Sequence, residues 1–206
     1  MIELKNVYKK YGDKIIFEDL TCNIKKGEFV GIKGSSGSGK STLLNMMGLL
    51  EPCDSGEIII DSKLVDFRNN RQVKEILSKK ISFLFQNFAL IDDFSVLDNL
   101  SIGLDKRIKN KREKIENVLD DLNLNIDINS KVFKLSGGEQ QRVALARVIL
   151  QNKDIVLADE PTASVDKLNR EIILSCLKDL NDKGKTIVLV SHDDYVISRT
   201  DRIIYL

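Results

Sequence analysis

The chain has little of what marks several large protein classes. Its 206 residues carry 32 basic and 31 acidic side chains, a net charge of +1, so no one-signed field points to nucleic acid. No apolar run approaches the roughly 20 residues that a membrane span needs, and any membrane association is expected to come through a partner. Met1-Ile2-Glu3-Leu4-Lys5 leads straight into polar-alternating sequence, without the pattern of a signal peptide. Cys22, Cys53 and Cys176 are odd in number, isolated and without metal-ligand spacing, and read as reduced cytosolic thiols or small core residues. Internal repeats, long linkers and low-complexity segments are lacking. What remains is 42% hydrophobic and 31% charged, ordinary for a globular protein and long enough for a sizeable core.

One stretch organises the rest. Gly34-Ser35-Ser36-Gly37-Ser38-Gly39-Lys40-Ser41 matches G-x-x-x-x-G-K-[ST] at every fixed position. The apolar run Phe29–Lys33 precedes it as a short strand, and Thr42 to Leu50 follows it at helical spacing. Glycines let the backbone wrap closely, so that successive N–H groups and a helix N-terminus face phosphates. Lys40 is expected to reach the β- and γ-phosphates, the Ser41 hydroxyl to ligate Mg²⁺, and Thr42 to close the set of loop residues at the nucleotide.

The pattern along the chain predicts an α/β fold. Residues 2–8 alternate apolar and polar, 15–24 do so more loosely, and Gly12-Asp13 turns the chain between them. With strands at 57–61 and 62–65, this makes an N-terminal antiparallel β layer beside the start of a mostly parallel nucleotide-binding sheet. A helix over 69–80 leads to a buried strand at 81–85. From about 95 to 150 the pattern is almost wholly helical, with a basic run from Lys106 to Lys114 and a loop over 123–130. The runs Ile155–Ala158 and Thr186–Val190 are strands buried on both faces. They flank an amphipathic helix over 166–180, with Leu168, Ile172, Ile173, Cys176, Leu177 and Leu180 toward the core. Residues 202–206 close as a strand. Residues 1–206 thus form one domain: a core from about 1–90 and 151–206, and a helical subdomain from about 91–150.

Other candidate residues sit at strand ends. Asp159 follows Ile155–Ala158, where a carboxylate can support a metal, and Glu160 beside it can polarise an attacking water, worth about 10²–10⁴-fold in rate. His192, the single histidine, follows Thr186–Val190 on the same sheet edge and is placed to bond the γ-phosphate and that water. Gln86 stands after 81–85 and can touch Mg²⁺ or water. Ser136-Gly137-Gly138-Glu139 opens a helix as a second anion cradle. One γ-phosphate is already claimed by Lys40, so this cradle makes sense if it completes the site of another copy, in a two-fold dimer with nucleotide sandwiched between.

Taken together, Gly34–Ser41, Gln86, Leu135–Gln140, Asp159-Glu160, Ser164-Val165-Asp166 and His192 resemble the ATP-binding subunits of ABC transporters over essentially the whole chain. In order they match that family's Walker A, Q-loop, signature, Walker B, D-loop and switch-histidine elements. The resemblance implies a P-loop NTPase core with ATP and Mg²⁺ as cofactors, Tyr11 stacking on adenine (the competing reading being an aromatic in a turn, with Tyr8 a lesser substitute), and Asp166 in the D-loop. It implies a head-to-tail dimer of the chain with itself, an integral membrane permease as partner, and a place at the cytoplasmic face of the cell membrane. Phe85 to Ile91, Val96 to Asn99 and Ala158 to Ala163 resemble the macrolide- and lipoprotein-exporter group, with bacteriocin and antimicrobial-peptide resistance ATPases beside it. That implies ATP hydrolysis driving export of a peptide, lipid or drug; the alternative is an ATPase that transmits force or senses without moving substrate. Val165 stands where Leu is usual in the family, and the sequence ends at Leu206, where a Gly-containing hairpin usually follows, so the C-terminal edge is expected to be less well covered.

Overall fold

The computed structural model describes residues 1–104, 108–163 and 165–206. Ser164 of the D-loop reading and Lys106 and Arg107 of the basic run lie outside the described residues.

Two sheets carry the fold. Strands β1 (Ile2–Tyr11), β2 (Lys14–Ile24), β4 (Ser55–Ile60) and β5 (Lys63–Leu64) form an antiparallel sheet in the order β2-β1-β4-β5. The second sheet is wholly parallel in its pairings and runs β6-β7-β8-β3-β9. Its members are β3 (Phe29–Lys33), β6 (Ile81–Leu84), β7 (Ile155–Asp159), β8 (Thr186–Val190) and β9 (Arg202–Tyr205). Successive side chains of a strand leave opposite faces, and the continuous apolar runs split accordingly. Val30, Ile32, Ile155, Leu157, Val188 and Val190 enter one core, shared with the antiparallel layer and the helix after the phosphate loop. Phe29, Val156, Ala158, Ile187 and Leu189 enter the other, shared with the helical segment. Fully burying such a side chain stabilises the fold by about 1.5–3 kcal/mol relative to leaving it exposed, so both faces are needed.

The helices are α1 (Lys40–Met47), α2 (Asn70–Lys80), α3 (Val96–Ser101), α4 (Lys111–Asp121), α5 (Gly137–Gln151), α6 (Lys167–Asp182) and α7 (Asp194–Ile197), with a short 3₁₀ turn at Val132–Lys134. Among the described residues, the helical stretch expected over 95–150 is therefore three helices and the 3₁₀ turn joined by non-helical chain. Buried Asn99 fastens the segment just before that stretch: its Oδ1 accepts from the Ile91 N–H at 2.8 Å and its Nδ2 donates to the Ile91 carbonyl at 3.0 Å. Helix α1 stops at Met47, before the expected Leu50. Gly48 caps it there, and a Cβ at that position would sit 2.1 Å from Phe83 Cζ.

Leu168 corrects the expected core face of α6. It is 71% exposed, whereas Ile173, Leu174, Leu177 and Leu180 are buried. Nine residues separate Leu168 from Leu177, two and a half turns of helix, which puts them on opposite sides. The edge strand β9 leaves Tyr205 exposed, and its successor Leu206 donates its N–H to the Lys33 carbonyl at 2.9 Å.

Candidate nucleotide-binding site

Because the large sheet is parallel, the C-terminal ends of β3, β6, β7 and β8 lie along one edge, and each delivers a residue singled out above. Between β3 and α1, Gly37 has φ +79° and Gly39, the residue capping α1, has φ +97°. No side chain caps this helix, so its first N–H groups face outward with the positive end of the helix dipole. Lys40 Nζ donates to the carbonyls of Gly34 at 2.9 Å and Ser35 at 2.8 Å, curling the lysine over the loop. A cavity of about 310 Å³ opens there, lined by Ser36, Gly37, Gly39, Lys40, Ser41, Thr42, Ile16, Val190 and Glu160.

The glycines are not equivalent. A Cβ at Gly39 would stand 2.6 Å from Ile16 Cγ2 and 2.8 Å from Phe17 Cζ, on top of the left-handed φ. At Gly37 nothing lies within 4 Å. Gly37→Ala is therefore expected to cost only the left-handed strain, about 1–2 kcal/mol. Gly39→Val, by contrast, is expected to displace β2 from the loop and weaken nucleotide binding about 100-fold or more, measured by titration with a fluorescent ATP analogue.

Ser41 Oγ donates to Asp159 Oδ1 at 3.2 Å, joining the first turn of α1 to the end of β7. Burial pushes the Asp159 carboxyl above its ordinary value; the Ser41 hydrogen bond opposes this, and the neighbouring Glu160 charge adds to it. The oxygens of Ser41 and Asp159 are hard donors of the kind a divalent Mg²⁺ takes, and Gln86 shares with Asp159 an open groove of about 840 Å³ that Asn45, Leu50, Phe85, Asn87 and Phe88 also line. The residues present fit such an ion.

Glu160 adopts a left-handed φ of +45°, a strained conformation for a non-glycine residue, and its N–H donates to the Val190 carbonyl at 3.0 Å. The turn aims its carboxylate at the end of β8. Oε1 accepts from His192 Nδ1 at 2.9 Å, and Oε2 accepts from Ser191 Oγ at 3.3 Å. The Glu160 side chain is largely buried while His192 is exposed.

Ser136 caps α5 with a reciprocal box: Glu139 N–H donates to Ser136 Oγ at 3.4 Å, and Ser136 N–H donates to Glu139 Oε2 at 2.8 Å. The Ser136 hydroxyl, which donates to Glu139 Oε2 at 2.7 Å, and then the Ser136 N–H hold the Glu139 carboxyl below its ordinary value. Ser136 and Gly137 are exposed, and none of residues 136–139 lines the cavity at Lys40. Asp166 caps α6 by accepting from Asn169 N–H at 2.8 Å, which lowers its own pKa. The ring of Tyr11 is half exposed at the tip of β1.

Three links from α5 were not anticipated. Gln141 Nε2 donates to the Pro161 carbonyl at 2.6 Å; Arg142 Nη1 donates to Asn169 Oδ1 at 2.5 Å; Arg147 donates to the carbonyls of Ala89 at 2.6 Å and Phe88 at 2.9 Å. Phe88 and Ala89, just past Gln86, both have left-handed φ, so Arg147 clamps a strained turn. The one available sequence signal was a lone arginine inside the apolar run 143–150.

Comparison with known proteins decides the family. The protein-family model described as ABC transporter matches residues 17–163. The chain belongs to the ABC transporter family. It is an ATPase cassette of that family. The macrolide export ATP-binding/permease protein MacB of Campylobacter jejuni is 40% identical over 207 residues, 99% of this chain and 32% of that protein, so the chain spans about a third of that relative's length. The lipoprotein-releasing system ATP-binding protein LolD of Porphyromonas gingivalis is 36% identical over 210 residues, covering 100% of this chain and 96% of its own. The ABC transporter ATP-binding protein MJ0796 of Methanocaldococcus jannaschii is 42% identical over 218 residues, 100% and 93% of the two chains. A solved structure described as a dimeric MJ0796 cassette superposes with a TM-score of 0.91 at 40% identity, covering 100% of this chain and 94% of that one. A second, described as a dimeric post-hydrolysis state bound to ADP and Pi, superposes equally well. Among the described residues no helix is long and apolar enough to cross a membrane.

Proposed function

We propose that this ABC cassette binds ATP in the β3–α1 loop, pairs head to tail with a second copy around two ATP molecules, and drives a separate membrane permease that exports a peptide, lipid or drug from the cytoplasmic face of the membrane. The observation that carries the reading is that the start of α5 is exposed and lines no part of the cavity at the α1 loop, so within one chain the two stand apart. The dimeric MJ0796 structures and the exporter names of MacB and LolD support it.

In this reading Tyr11 stacks on adenine, and residues 34–42 wrap the phosphates, with Lys40 leaving the Gly34 and Ser35 carbonyls for the β- and γ-oxygens. Ser41, Asp159 and Gln86 would hold Mg²⁺, which when bound neutralises charge on the phosphates. Glu160 takes the proton of the attacking water as general base, and His192, tethered to Glu160, orients it toward the γ-phosphate. Ser136, Gly137 and Gly138 of the second copy cap that phosphate, with Glu139 fixing the turn and Asp166 lying near the same junction. Contacts to the γ-phosphate made only when the pair is closed supply the differential affinity that moves the equilibrium. The groove at Gln86, with Phe83 and Phe85 stacked 5.0 Å apart beside it, receives a permease helix.

The test is co-purification with an integral membrane protein followed by reconstitution of the pair in lipid vesicles. ATP-dependent movement of an amphiphilic substrate is expected. A stable complex whose ATPase runs with no transport would overturn export in favour of force transmission.

A further inference from the structure

Tyr11 sits at the tip of the β1–β2 hairpin, 47% exposed, where an unanchored ring would sample several rotamers. One end of it is tied. Its hydroxyl donates to Glu51 Oε2 at 2.6 Å, and Glu51 Oε1 accepts from Lys9 Nζ at 2.8 Å. Lys9 is 5% exposed, rare for a lysine unless paired, and it also donates to the Pro52 carbonyl at 2.9 Å. Burial works against both charges of this pair, but the bonds between them outweigh it: the Lys9 ammonium is held above its ordinary pKa and the Glu51 carboxyl below its own. Lys9 Nζ lies over the Tyr11 ring, 5.1 Å from its centre, so a cation holds one face of a ring that is half exposed.

Glu51 follows closely on α1, whose opposite end carries the phosphate loop. The bond from Tyr11 therefore indexes the hairpin tip to the same helix that aims N–H groups at phosphates. We infer that Glu51, seated by Lys9, is a positioning residue that fixes the Tyr11 ring as a preformed platform for the nucleotide base. This rests on the reading of Tyr11 as the residue that stacks on adenine. Ordering a mobile side chain during binding costs about two- to tenfold in affinity, and the anchor removes that loss beforehand.

Three variants of the full chain test it by steady-state ATPase kinetics: Tyr11→Phe, which keeps the ring and drops the hydroxyl; Tyr11→Ala, which drops the ring; and the double Lys9→Met/Glu51→Leu, which removes the acceptor without stranding a buried charge. Tyr11→Phe is expected to raise KM for ATP about fivefold, far more than it lowers kcat. Tyr11→Ala is expected to raise KM about 30-fold, in the range of one base–aromatic stack. The double variant is expected to match Tyr11→Phe, and adding Tyr11→Phe to it to change nothing further, because both cut one link. Inhibition by inorganic tripolyphosphate, which carries phosphates and no base, is expected to stay at the wild-type level, as a purely structural disturbance would not leave it. A wild-type KM in Tyr11→Phe and in the double variant, with KM raised in Tyr11→Ala, would overturn the anchoring role and leave stacking intact. A wild-type KM in Tyr11→Ala would overturn the stacking reading itself, and the anchor with it.

Discussion

Glu160→Gln is expected to lower kcat at least about 100-fold while ATP still binds, and to leave the chain as a stable dimer in ATP. Glu160 is held in a left-handed turn, its oxygens accept from His192 and Ser191 at the end of β8, and it lines the same cavity as Lys40. Glutamine keeps the size of the group and can take the same turn, so the fold and the phosphate cradle are expected to survive. What it loses is the capacity to accept a proton from water. With hydrolysis blocked, the γ-phosphate that bridges two copies persists, and the closed pair accumulates as far as its differential affinity for ATP allows. Turnover counts phosphate release, and light scattering counts dimers. A variant that remains monomeric in ATP and hydrolyses at the wild-type rate would remove both Glu160 and the bridging role of ATP from the account.

Gly138→Asp is expected to abolish ATP-dependent pairing and to reduce hydrolysis about 100-fold or more. A Cβ at this position would stand 2.8 Å from Asn169 Nδ2, and Asn169 bonds both Asp166 and Arg142, so the substitution pushes on the junction between α5 and α6. It also puts a carboxylate at the positive end of a 15-residue helix, where the proposal places the partner's phosphate. Like charges brought together there disfavour closure. Binding of ATP to the single chain's own loop, 34–42, is expected to persist, because none of residues 136–139 lines that cavity. Equilibrium binding of a fluorescent nucleotide, beside sedimentation with and without ATP, separates the two effects.

Much of this was legible in the sequence because it is local. The strand Phe29–Lys33, the loop after it and the start of α1 follow from apolar runs and glycine placement within a dozen residues. Asp159 and His192 could be put on one edge because two continuous apolar runs imply a parallel sheet, and strand direction then fixes which end they occupy. Leu168 misled because helical spacing alone does not say where a stripe is centred; Leu174, facing the core, sets it. The links from Arg147 to Phe88 and Ala89, and from Tyr11 to Glu51, join residues about 40 to 60 apart in the chain. No window of sequence contains both ends of such a bond, so each needed the folded molecule. The chain's family, by contrast, was carried by several short motifs in a fixed order, a signal that survives without any tertiary information.

The central claim is that one chain supplies half of each ATP pocket and a neighbour supplies the rest, and mixing tests it most directly. Lys40→Ala disables the phosphate loop and Gly138→Asp disables the cap, so each variant alone is expected to be inactive. In a mixed pair, the loop of the Gly138→Asp chain meets the intact cap of the Lys40→Ala chain, which rebuilds one pocket of two. Neither variant pairs around ATP with its own kind, so the pairs that close in an equal mixture are mixed ones with one working pocket of two, and hydrolysis is expected to recover to as much as about half of the wild-type rate. A mixture as inactive as its separate components would contradict the shared pocket.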